Sequence, residues 1–126
     1  MDALVPVLSP VMRVCMRGHQ PTSLLAARVS RAIGVPVRRW LGMARTVRPQ
    51  LGLSAGEREA NVRGAFAARR ATRVAGRTVC VVDDVTTTGA TLREAARALR
   101  SAGAARVYGL VVSKMNLTTW DAGAGA

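Results

Sequence analysis

Three features of the sequence predict an α/β fold with a mostly parallel sheet flanked by helices. The first is a strand–helix–strand succession: Thr78–Val82 is a run of β-formers, Thr91–Ala102 a periodic helix, and Val107–Val112 a second apolar strand. Parallel neighbours require such a crossover. The second is an earlier succession of the same kind, from an apolar run at Leu4–Leu8 through a helical stretch to an extended restart at Val35–Val37. The third is size. With 126 residues, 49% of them hydrophobic, the chain can fill one core and is too short for two.

The elements follow in order. Leu4–Leu8 is interrupted by Pro6 and stopped by Pro10, and residues 9–21 carry the turn chemistry of a loop. Thr22 has the side chain of a helix cap, and Leu25, Val29, Ala32 and Ile33 share one face of the helix it would start. Gly34 falls just past the end. Residues 38–60 are rich in arginine and glycine and show little periodicity, apart from Ser54-x-x-Glu57, which has capping-box spacing. Residues 62–67 read as an extended return strand. The helix over Thr91–Ala102 buries Leu92, Ala95, Ala96 and Leu99, and Gly103 marks its end. The domain is expected to cover residues 1–115, with 116–126 a loose polar tail. Asn116-Leu117-Thr118 matches a glycosylation sequon, but nothing else suggests secretion.

Composition removes several classes. No apolar run approaches the roughly 18 residues of a membrane helix, and residues 1–11 lack a signal-peptide layout. No membrane span is therefore expected. Cys15 and Cys80 lie far apart with no CxxC, which argues against a disulfide scaffold or zinc module within these residues and fits a reducing cytoplasm. Aromatics at 3% supply a base-stacking platform poorly.

Charge is the strongest compositional signal. Nineteen basic residues, all but Lys114 arginine, against seven acids give +12. A codon bias toward arginine would account for the total, though not for its distribution. No acid occurs between Asp2 and Glu57, yet Arg13, Arg17, Arg28, Arg31, Arg38, Arg39, Arg45 and Arg48 all do. Guanidinium groups repel one another and their planar forks match phosphate oxygens two at a time. This half lines an anionic ligand, faces a polyanion or docks on an acidic partner; charge alone does not choose.

The chemistry concentrates after Val82. Asp83 and Asp84 end an apolar strand, in a chain with few acids, at the carboxyl edge where open α/β sheets bind ligands. One could cap a turn and the other pair with an arginine. Alternatively both reach out, to accept from sugar hydroxyls or to hold waters on a hard divalent cation. Thr86-Thr87-Thr88-Gly89-Ala90-Thr91 then opens a helix. Backbone N–H groups at a helix start, small hydroxyls and a permissive glycine make a phosphate cradle, whereas plain capping needs one hydroxyl. Acids for a ribose, followed closely by donors for a phosphate, are the order of a sugar-phosphate site. Neither GxxxxGK[ST] nor GxGxxG is present.

The string from Val79 through Asp83-Asp84-Val85-Thr86-Thr87-Thr88-Gly89-Ala90-Thr91 resembles the phosphoribosyl-pyrophosphate (PRPP) motif of type I phosphoribosyltransferases. Arg17-Gly18, Leu24-Leu25-Ala26, Arg45-Thr46, Gly52-Leu53-Ser54, Glu57-Arg58, Asn61-Val62 and Gly64-Ala65-Phe66 narrow the likeness to the ComF family, over roughly residues 4–114. The resemblance implies a type I phosphoribosyltransferase-like fold that binds PRPP with Mg²⁺, and a transfer of the phosphoribosyl group with release of pyrophosphate. It implies that Asp83 and Asp84 hold the ribose hydroxyls and, through water, the metal. Thr86 to Thr91 would wrap the 5′-phosphate, and Arg17 would assist at the pyrophosphate. Residues 42–61 resemble the family's mobile loop, from which Arg45 or Arg58 would close. ComF proteins usually begin with a four-cysteine zinc module; this chain starts at the first strand, so a domain lacking that module is expected. His19, in Arg17-Gly18-His19-Gln20-Pro21, reads as a surface loop residue. The second function class, suggested by the charge and the family name, is a basic nucleic-acid-associated protein acting in DNA uptake. The setting expected for either is cytoplasmic; no residue discloses the oligomeric state, for which a homodimer is one option.

Overall fold

The computed structural model describes residues 1–7, 21–44, 54–83, 89–113 and 116–121. Strand β1 (Ala3–Pro6) is followed by α1 (Pro21–Ile33), β2 (Leu41–Met43), α2 (Ala55–Val62), β3 (Phe66–Ala68) and α3 (Ala71–Val74). Strand β4 (Thr78–Asp83), α4 (Ala90–Ser101), β5 (Arg106–Ser113) and β6 (Asn116–Asp121) complete the order. The main sheet runs β1-β4-β5-β6, and β2 and β3 form a separate antiparallel ribbon. Strands β1, β4 and β5 are parallel, with Val81 opposite both Val5 and Gly109. The expected parallel α/β architecture is thus present.

Strand alternation explains where the helices go. Ala3, Val5, Val79, Val81, Val107 and Val111 face one side and join Leu92, Ala95, Ala96 and Leu99 of α4 in one buried cluster. Trp40, Leu41 and Phe66 of the ribbon region close the same cluster. Leu4, Cys80, Val82 and Leu110 face the other side and pack with Leu25, Ala26 and Val29 of α1. Both faces of the central strands are therefore dry, as parallel strands require, and each buried Val or Leu contributes about 1.5–3 kcal/mol. Val37 bridges Leu4 in parallel beyond β1, as the extended restart implied. The Asp2 carboxylate accepts from the Thr78 N–H at 2.8 Å, which ties the start of β1 to the start of β4.

Several details differ from the sequence reading. Helix α1 begins at Pro21, so Thr22 lies inside its first turn, not at its cap. Proline suits that first position because it lacks the donor that would go unpaired there. The Thr22 hydroxyl, fully buried, instead donates to the carbonyl of Val7 at 2.7 Å. The return strand starts later than expected, at Phe66, because the capping box of Ser54 and Glu57 sustains α2 through Val62. Strand β2 and helix α3 carry too few residues to show a period. At the carboxyl end, Asn116–Asp121, expected as loose tail, pairs antiparallel with β5 from Asn116↔Ser113 to Asp121↔Tyr108. The physical reason is the open edge of β5 together with β-formers at Leu117, Thr118, Thr119 and Trp120. Among the described residues no helix is long and apolar enough to cross a membrane.

Two outcomes follow from this packing. Thr22→Val keeps the shape and removes the donor to Val7, so it should lower stability by about 1–2 kcal/mol in urea unfolding, while Thr22→Ser retains most of it. Burial pushes the Cys80 thiol from 9.0 up to about 11. The folded chain holds that proton longer than the unfolded chain does. The associated stability is therefore complete below pH 9 and lost as pH rises through about 11. In a Cys15→Ser background, unfolding free energy should fall across this window by at most ~1.4 kcal/mol per pH unit, and a further Cys80→Ala change should remove that share of the slope. An identical slope in both chains would contradict the assignment.

Candidate functional site

The crossover from β4 to α4 places the end of one and the start of the other at the carboxyl edge of the sheet. Alternation continues the row of Val79 and Val81 into Asp83, the last strand residue, where a carboxylate stands in place of another valine. Asp83 is only 4% exposed and pairs in register with Val111. Beside it, the Val7 N–H donates to the Val82 carbonyl at 2.9 Å, so the end of β1 reaches the same edge. The Thr22 clasp on Val7 holds the start of α1 there as well.

Gly89 caps α4 in the left-handed conformation, with φ 78° and ψ 4°, and without a side-chain cap hydrogen bond. Its carbonyl accepts from the Arg93 N–H at 2.8 Å, and Ala90 and Thr91 form the first helical turn. The positive end of the α4 dipole and its amino-terminal N–H groups therefore lie at the edge that carries Asp83. A Cβ on Gly89 would sit 3.0 Å from Nη1 of Arg93, so this guanidinium folds back toward the helix start. It also donates to Oε1 of Glu59 on α2 at 3.3 Å.

Of the residues expected from the sequence, the structure places Asp83 at the end of β4 and Gly89, Ala90 and Thr91 at the start of α4. Asp84, Val85, Thr86, Thr87 and Thr88 lie outside the described residues, as do Arg17, Arg45 and His19. Arg58 falls within α2. The stretch at 42–61, likened to a mobile loop, is regular structure at both described ends: Gly42 and Met43 belong to β2, and Ala55 onward to α2. The Glu59–Arg93 pair was not singled out from the sequence. Its one signal was that Arg93 lies four residues after Gly89, one turn above the helix start.

No group of three or more His, Cys, Asp or Glu that would hold a metal occurs among the described residues. Magnesium does not require one, since it keeps several waters and is bound through one or two carboxylates plus substrate phosphates. Asp83 at a strand end beside a helix start is a donor set of that type. Cys80 is free and buried on the α1 side of the sheet, away from this edge.

Comparison with known proteins agrees with this geometry. The phosphoribosyl transferase domain family matches residues 23–119. Competence protein F of Haemophilus influenzae is 34% identical over 113 residues, covering 86% of this chain and 49% of that protein. The chain spans about half the length of this curated relative. Among solved structures, the glutamine PRPP amidotransferase from B. subtilis, complexed with ADP and GMP, superposes with a TM-score of 0.56 at 27% identity. The match covers 87% of this chain and 22% of that one. A structure of the allosteric regulatory enzyme of purine biosynthesis matches equally, with a TM-score of 0.56, 27% identity, and 87% and 21% of the two chains. Because the matched stretch runs through β4, the connection after it and α4, the chain belongs to the phosphoribosyl transferase domain family, and its likeness within that family is to the ComF type.

Proposed function

We propose that the carboxyl edge of the sheet binds PRPP and that the domain transfers its phosphoribosyl group to a nitrogen nucleophile. The observation that carries this reading is the bracketing of one short connection by a buried carboxylate, Asp83, and a glycine-capped helix start, Gly89. In this reading Asp83 and Asp84 accept from the ribose hydroxyls. Thr86, Thr87, Thr88 and Thr91 donate to the 5′-phosphate together with the N–H groups of the α4 start. Arg17 lies toward the pyrophosphate, and Arg45 or Arg58 closes over it. Magnesium, held by Asp83 and Asp84 through water, would supply charge neutralisation at the pyrophosphate. In the step itself the bond from C1 to the pyrophosphate oxygen breaks and one from C1 to nitrogen forms. Pyrophosphate leaves with the bonding pair, and the nucleophile gives up its proton. What the chain contributes is fixed donors facing developing charge, which need no reorganisation at the moment of reaction.

The net charge of +12 supports a second reading, association with nucleic acid through the basic surface. The name of the Haemophilus relative, Competence protein F, points the same way. The two readings use different parts of the molecule and do not compete. A cytoplasmic homodimer is part of the same proposal.

Millimolar PRPP with magnesium should raise the melting temperature of the chain, since a ligand at a hundred times its Kd stabilises by about 2.7 kcal/mol. Asp83→Asn with Asp84→Asn should abolish the rise. A folded wild-type chain whose melting temperature does not move would overturn PRPP binding. Gly89→Ala should itself lower stability by roughly 1–2 kcal/mol, because alanine resists a positive φ. The same change displaces Arg93 from the helix start, so the PRPP-induced rise should also shrink.

A further inference from the structure

Five arginines gather at one end of the β2–β3 ribbon. The register pairs Leu41 with Ala68, and the next bond runs from the Arg69 N–H to the Trp40 carbonyl at 2.6 Å. One residue further along each strand come Arg39 and Arg70, with Arg38 behind the first and Arg73 one turn of α3 beyond the second. The Arg69 guanidine lies over Gly42, where a Cβ would meet its Nε at 2.5 Å. All five side chains are exposed, and none forms an ion pair with a described acidic residue. Arg38 turns one nitrogen onto the neutral Val37 carbonyl at 3.4 Å, a local contact. Arg70 holds φ 53° as the N-cap of α3, where the chain turns out of β3 and its carbonyl accepts from the N–H groups of Arg73 and Val74.

We infer that this arginine cluster binds the phosphate backbone of duplex nucleic acid, at a surface separate from the edge that carries Asp83 and Gly89. The inference rests on the nucleic-acid reading above and is independent of PRPP binding. Separation follows from the chain path. Just past α3, the Gly76 N–H donates to the carbonyl of Gly103, beyond the last turn of α4, whereas Gly89 opens that helix. A helix of 12 residues puts roughly 18 Å between the two ends.

The surroundings favour a polyanion over other occupants. The cluster sits on an exposed ribbon end, so a single small anion would stay hydrated there. A protein partner would seek an apolar or aromatic anchor at the centre of its contact. Here Trp40 and Phe66 are buried at 7% and 3% exposure. Leu24 and Ile33, the exposed large apolar residues of α1, belong to the helix on the opposite side of the sheet, and the exposed Met43 lies at the other end of the ribbon, opposite Phe66. With the described rings of the ribbon, Trp40 and Phe66, buried, single strands gain nothing there from their bases, and the denser phosphates of a duplex bind better.

The test is a salt titration of the whole chain against a labelled duplex of mixed sequence and its separated strands. Arg39→Gln, Arg70→Asn and Arg73→Gln form the cluster variant, asparagine being chosen because it tolerates positive φ. Arg28→Gln with Arg31→Gln on α1 is the control. The wild-type chain should prefer the duplex regardless of sequence. The cluster variant, with an undiminished melting temperature, should bind at least tenfold more weakly at 0.1 M salt, its log–log salt slope shallower by about 3. The control should stay within about twofold. Equal loss in the control, or full retention by the cluster variant, overturns the location and leaves the nucleic-acid reading standing. No duplex binding by the wild type even at low salt removes both. Displacement by polyglutamate at equal charge would mark a dock for acidic proteins and reject the phosphate assignment.

Discussion

A parallel strand flanked by parallel neighbours must bury both of its faces, and in this chain that requirement falls on β4. Val79 and Val81 lie against α4, and Cys80 and Val82 lie against α1. Because β1 and β5 run the same way as β4, each link between them must cross over, and the helices that cross supply the two covers. The connections leaving these strands then all emerge at one edge. Asp83 is the first residue of β4 at which the apolar row stops, and it stops while still 4% exposed. A carboxylate that deep has to be compensated, and Asp83 is not without a partner in the folded chain.

Two polar contacts join the outlying elements to that edge. Thr22 fastens the start of α1 to the end of β1, and Glu59 fastens α2 to the first turn of α4 through Arg93. They differ in weight. The Thr22 bond is fully buried and removes the need for water at Val7, which makes it a structural fixture. The Glu59–Arg93 pair is about half exposed on both partners, so it adds little stability. Its effect is local. It governs where the Arg93 guanidinium rests relative to the α4 start, where a phosphate would also attract it.

The crossover at Thr78–Val112 was legible because its parts have clear periods: alternating valines in β4, and the Leu92, Ala95, Ala96 and Leu99 stripe in α4. The capping box at Ser54 and Glu57 was legible because its chemistry is local, and the structure contains both of its hydrogen bonds. Strand β2 and helix α3 were not, since three and four residues cannot display a period and their pairing depends on partners distant in sequence. The same limit hid β6: an edge strand is defined by the open edge it meets, and nothing within Asn116–Asp121 announces β5. Thr22 misled because a threonine before an apolar stripe has cap chemistry, yet the preceding proline claimed the first helical position. Of the candidate site, Asp83 and Gly89 were readable from residue type. The Arg93–Glu59 contact was not, because it joins two helices through side chains separated by 34 positions.

The surplus of arginine has to be understood apart from the fold. Among the described residues three ion pairs occur, Arg77–Asp2, Arg93–Glu59 and Arg97–Glu94, and the arginine of each is more than half exposed. Pairs of that kind contribute about 0–1 kcal/mol apiece and do not repay a net charge of +12, whose self-repulsion works against the compact state. The two buried clusters contain no arginine, so the core that opposes that repulsion is hydrophobic packing. Screening by salt weakens the repulsion without removing it where arginines adjoin in the chain, as at Arg38–Arg39 and Arg69–Arg70. Such an arrangement is tolerable for a fold and advantageous for a binder, because an anion that settles among the charges relieves strain already present in the free chain. On the functions proposed above, the carboxyl edge and the ribbon end would be two answers to one imbalance, the first selecting a phosphate by shape and the second by charge density alone.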